Sequence, residues 1–77
     1  MPNTIKARVV EDIELEYFPA ENLSTSLFKT FTAGEIISGE VIDVTTDDDG
    51  KFTSIKMENG DVLPGIQFEV EEFFEIL

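Results

Sequence analysis

Almost all the chemistry this sequence could perform rests on carboxylates. It carries 17 Asp and Glu against 5 Lys and Arg, with no His, Cys or Trp. The run Asp47-Asp48-Asp49-Gly50 most invites a metal, because a hard cation such as Ca²⁺ takes about 6–8 oxygen ligands. Aligned on an EF-hand loop, Thr45 takes the first ligand position, Asp47 the third, Asp49 the fifth and Gly50 the turn. The last position then falls on Lys56, a cation where a bidentate Glu is required. Asp47 and Asp49 are therefore weak metal candidates. The plainer reading is an acidic, solvated hairpin tip that discourages edge-to-edge aggregation.

Catalysis fares worse. General acid–base work near neutral pH falls most often to His, and none is present. Ser24, Thr25, Ser26 and Ser54 have no obvious activating base. Without Cys there is no thiolate nucleophile, thiolate metal site or disulfide. Carboxylate pairs are abundant, but acid–base work needs a pocket that separates their proton affinities by desolvation. A small core filled by its own side chains offers little concavity. The expectation is a non-enzymatic protein without a cofactor.

Recognition is the remaining possibility. Glu11, Asp12, Glu14, Glu16 and Glu21 form an acidic segment, and on a strand Glu14 and Glu16 share one face about 7 Å apart. That spacing approaches the interval between phosphates along a nucleic-acid strand. Two functions follow: a docking face for a basic protein, or a DNA-mimicking decoy of the phage or mobile-element type. The plainer reading is solubility, since excess charge keeps a small β protein dispersed. The chain has 7 Phe, more than so small an interior holds. Phe18, beside Pro19, and one of Phe73 and Phe74 are expected at the surface as anchors. Phe18, Phe74, Tyr17, Glu14 and Glu16 are the candidate protein-binding residues.

A net charge of −12 repels phosphate backbones and anionic lipid, which argues against direct nucleic-acid or membrane binding. No apolar run approaches the roughly 20 residues of a membrane-spanning helix. Met1-Pro2-Asn3-Thr4 lacks the basic and apolar regions of a secretory signal. A cytoplasmic setting is expected, with a basic protein as partner, either alone or within a homo-oligomer or larger assembly.

The elements that must position these residues read mainly as strands. Ile5, Ala7 and Val9 alternate with Lys6 and Arg8; Ile13, Leu15 and Tyr17 alternate with Glu14 and Glu16. Period two marks half-buried strands. Pro19 ends the second run, and residues 20–26 read as a loop, with a short helix from Asn22 as the alternative. Leu27, Phe28 and Phe31 return to the core, and Ala33-Gly34-Glu35 reads as a turn. Residues 36–44 form the strongest strand, with Gly39 marking a bulge or bend. A hairpin loop over residues 45–51 leads to a return strand at 52–57. Asn59-Gly60 predicts a type I′ turn. Pro64-Gly65 confines the next strand to an edge or interrupts it. After it come a 3₁₀-like turn at Glu71–Phe73 and a last strand at 74–77; the alternative is a C-terminal helix using Ile66, Val70, Phe73, Phe74 and Leu77.

The whole reads as one domain over residues 1–77, all-β in class. The Gly34-Glu35 turn, the strand IISGEVIDV, the Asp49-Gly50 tip, TSIKM, Asn59-Gly60-Asp61, Pro64-Gly65-Ile66 and Phe73-Phe74-Glu75-Ile76 together resemble an SH3-like five-stranded small barrel. The likeness lies in the arrangement of hairpins and closing strand over residues 35–77. It implies an interaction module. The family's polyproline groove depends on aromatic walls that include tryptophan. This chain has no tryptophan, and Tyr17-Phe18-Pro19 is its only comparable cluster, which argues against that ligand class.

Overall fold

A computed structural model describes residues 3–77. Seven strands form: β1 (Thr4–Val9), β2 (Ile13–Tyr17), β3 (Leu27–Phe31), β4 (Ile36–Asp47), β5 (Gly50–Met57), β6 (Val62–Ile66) and β7 (Phe74–Ile76). The protein is all-β, and no helix occurs among the described residues. Alternation dictates the burial of β1: Ala7 and Val9 are buried while Lys6 and Arg8 stay in solvent.

The strands divide into a five-stranded sheet of order β6-β5-β4-β1-β7 and a two-stranded ribbon of β2 and β3. These sheets are not closed into a barrel. All strand pairs are antiparallel. The long strand β4 joins the two halves of the larger sheet. Its first residues pair with β1 on one side, and from Gly39 to Asp47 it pairs with β5 on the other. Gly39 sits where both neighbours press on β4. A Cβ there would lie 2.5 Å from the Lys56 carbonyl oxygen, so only glycine lets the strands approach. The register shift in β4 falls between Val41 and Asp43, leaving Ile42 as the extra residue. Gly39 thus marks a close approach, and the bulge expected there lies three positions on.

The turns differ from expectation in instructive ways. Asp47 pairs with Gly50, so the β4–β5 connection is only Asp48-Asp49, far tighter than a loop over residues 45–51. At the β5–β6 turn, the Gly60 N–H donates to the Met57 carbonyl at 2.9 Å and the Met57 N–H to the Asp61 carbonyl at 2.8 Å. Gly60 has φ +94°, whereas no non-glycine residue among those described has positive φ. Glu58 and Asn59 are therefore the central turn residues, with Gly60 as the left-handed residue that follows. That is a three-residue loop rather than a type I′ turn. Asn22 starts no helix: its Oδ1 accepts the Ser24 N–H at 3.1 Å and its Nδ2 donates to Thr25 Oγ1 at 2.9 Å, the local bonding that favours turns over helices. Before β7, the Val70 N–H bonds the Gln67 carbonyl and the Phe73 N–H the Val70 carbonyl. Two successive turns replace the alternative C-terminal helix.

The core comprises Ala7, Val9, Phe31, Ile37, Ile55, Leu63, Ile66, Phe68 and Phe74. Phe68 and Phe74 meet with ring centroids 5.2 Å apart at a tilted angle of 59°, a favoured aromatic geometry. Of the apolar residues expected to bring β3 inward, only Phe31 is buried; Leu27 and Phe28 are exposed.

Candidate functional site

The β2–β3 ribbon hydrogen-bonds to the larger sheet at one end, and its flanking segments are tied together at the other. Between them Ile13, Leu15 and Tyr17 pack toward the core without ladder bonds to β6. At one end, Phe18 and Val62 form an isolated bridge, exchanging N–H···O bonds of 2.8 and 2.9 Å. There the Ala20 N–H donates to the Asp61 carboxylate at 2.8 Å, and Asn59 holds that carboxylate through Nδ2 at 3.1 Å. At the other end the Ala33 N–H donates to the Asp12 carboxylate at 2.8 Å. Asp61 and Asp12 are thus structural acids, not elements of an open charged face.

Pro64 explains why the ribbon parts from the sheet. In an antiparallel ladder, mutually bonded pairs recur at every second residue. After Phe18 and Val62 the next such pair is Glu16 and Pro64, and proline has no N–H to donate. The ladder stops at a single bridge. The edges of β2 and β6 diverge and leave a groove of about 420 Å³. Ile13 and Leu15 line one wall; Pro64, Ile66, Val70 and Phe73 line the other; Glu14 and Glu16 stand on its lip. By the same alternation, the main-chain N–H and C=O groups of Glu14 and Glu16 point toward this gap.

Charge around the groove is negative and mostly unneutralised. All carboxylates except those of Glu35 and Asp61 belong to exposed residues. Among the described residues two ion pairs form, Arg8–Glu75 at 3.1 Å and Lys51–Glu69 at 3.6 Å, both solvent-exposed. Glu16 accepts a short hydrogen bond from the Ser26 hydroxyl, which orders its carboxylate at the lip.

The residues nominated from sequence take different places. Glu14 and Glu16 lie together on the groove. Phe74 also lines it, but from below: it is only 4% exposed, so its ring is core and not a surface anchor. The correction follows from register, since Phe74 pairs with the buried Val9. Tyr17 packs against the core. Phe18 is half-buried and contributes the bridge at the groove's closed end. Asp47 accepts the Asp49 N–H at 2.8 Å, bracing its own turn, and no cluster of three or more metal-ligating residues occurs among those described.

Sequence reasoning missed the groove walls and one aromatic. Pro64 was the available signal, since an edge proline announces where pairing must stop. Phe28 is 66% exposed. Its cross-strand partner is Glu16, and paired residues share a face, so Phe28 stands outside beside the two carboxylates. Only the β2–β3 register reveals this. No protein-family model, curated protein or solved structure matches the chain.

Proposed function

We propose that this chain is a non-enzymatic, SH3-like interaction module that holds an extended basic segment of a partner protein in the groove between β2 and β6. The strand order supports the SH3-like reading: a central hairpin series, a projecting ribbon between the first strand and the long bent one, and a turn before a short closing strand. The observation that carries the function is an apolar cleft with two exposed carboxylates on its lip, one of them, Glu16, held by Ser26. Apolar side chains of the ligand fill the space between Leu15 and Val70, while its cations meet Glu14 and Glu16. The unpaired main-chain groups of those glutamates supply backbone pairing. Phe28, beside Glu16, offers a ring face to a further cation.

The test is the affinity of a synthetic peptide alternating arginine and leucine, measured by calorimetry at low salt and at about 0.3 M salt, where screening reaches within roughly 6 Å. Leu15→Ala is expected to weaken binding about tenfold at both salts, as lost apolar contact does. Glu14→Gln with Glu16→Gln should slow association mainly at low salt. A nucleic-acid decoy behaves otherwise: its binding collapses with salt and ignores Leu15. That pattern refutes the groove.

A further inference from the structure

We infer a second docking site, distinct from the groove: the outer edge of β7, which accepts a basic β-strand from a partner by strand addition. The ladder to β1 defines which backbone groups are free. The Val10 N–H bonds the Phe73 carbonyl at 2.8 Å and the Leu77 N–H bonds the Lys6 carbonyl at 2.9 Å. Arg8 and Glu75 lie midway in that register and complete the series of mutually bonded pairs. Phe74 and Ile76 are the intervening residues, so their main-chain groups point away from β1. The same parity holds on β1, where Val9 bonds outward to Glu35 and Gly34. The Phe74 N–H is taken by the Val70 carbonyl. That leaves the Phe74 carbonyl and both polar groups of Ile76 on an edge that no described strand covers.

Beside this edge runs a shallow groove of about 520 Å³ lined by Val10, Glu69, Glu71, Phe74, Glu75 and Ile76. Its composition sets the occupant. Ile76 is 52% exposed and offers an apolar contact, beside three carboxylates of which Glu75 and Glu69 are shared with Arg8 and Lys51 at exposed positions and Glu71 is not. A second copy of a chain with net charge −12 would bring another strongly negative surface against this one, which is unfavourable. A strand alternating apolar and basic residues fits instead: apolar residues beside Ile76 on one face, and on the other cations that share the exposed Glu75 with Arg8. Free backbone groups give affinity in this mode and alternate side chains give specificity.

The experiment titrates the ¹⁵N-labelled chain with a synthetic peptide alternating lysine and valine, about eight residues long to match a typical strand, and reads backbone amide shifts and affinity. The largest shifts are expected at Ile76 and Glu75, with nuclear Overhauser contacts from peptide α-protons to the Ile76 amide. Ile76→Pro removes an N–H that the β1 ladder does not use, so the remaining spectrum stays folded while affinity at this site drops about tenfold or more. Ile76→Val retains the N–H and binds as the parent does. Equal affinity of the proline variant, or shifts spread evenly over the acidic loops, overturns the proposal. So does self-association of the chain through Ile76 in the absence of peptide.

Discussion

Replacing Pro64 with valine tests the physical origin of the groove. The substitution supplies the missing N–H opposite Glu16, two residues beyond the Phe18–Val62 bridge. The β2–β6 ladder can then continue, and the two edges zip together. The new hydrogen bond contributes about 0.5–1.5 kcal/mol net. Loss of proline restores freedom to the unfolded chain and costs about 0.4–1 kcal/mol. The two nearly cancel, so the urea midpoint should move by less than the equivalent of ~1 kcal/mol. The decisive assay is amide hydrogen exchange. In Pro64→Val, the new amide at position 64 should exchange at least tenfold more slowly than an exposed loop amide, and the Glu16 amide should slow with it. Affinity for the arginine–leucine peptide should fall about tenfold as the cleft closes. A freely exchanging amide at position 64, with peptide binding intact, refutes the argument that proline holds the groove open.

Other substitutions separate core from surface. Phe68→Ala should destabilise by about 3–5 kcal/mol, as emptying a packed aromatic site does, whereas Phe28→Ala should change stability by less than ~0.5 kcal/mol; urea denaturation reads both. Gly39→Ala drives a methyl into the Lys56 carbonyl and should cost about 1–3 kcal/mol, measurable in the same way. Screening the surplus of unpaired carboxylates should raise the melting temperature by about 5–10 °C between low salt and about 0.5 M NaCl, read by calorimetry. A flat salt response would mean that the acidic surface exerts little self-repulsion.

Much of the strand pattern was legible because it depends on local alternation. The parities of β1 and β2 follow directly from IKARV and IELEY, and the terminal strand follows from the unfavourable placement of Glu71, Glu72 and Glu75 at a helix C-terminus. What escaped the sequence depends on pairing between distant segments. Phe28 reads as core until its partner is known to be Glu16, and Phe74 reads as a possible anchor until it is set against Val9. Gly39 announces itself as unusual, yet whether it marks a bulge or a close contact is decided by the Lys56 carbonyl on another strand. Asn59-Gly60 identifies a hairpin, but the tie from Asp61 to Ala20 accompanies a different turn. The groove itself was half visible: Pro64 signals an interrupted edge, while its position opposite Glu16 requires the Phe18–Val62 bridge.

The most direct measurement is an amide chemical-shift map of the chain titrated with the arginine–leucine peptide at about 0.3 M salt, where loose attraction to the carboxylates is screened. Docking in the cleft predicts saturable shifts confined to residues 13–16, 65–67, Val70 and Phe73. Small, unsaturable shifts scattered over residues 47–49, Glu58 and the other acidic turns would contradict it.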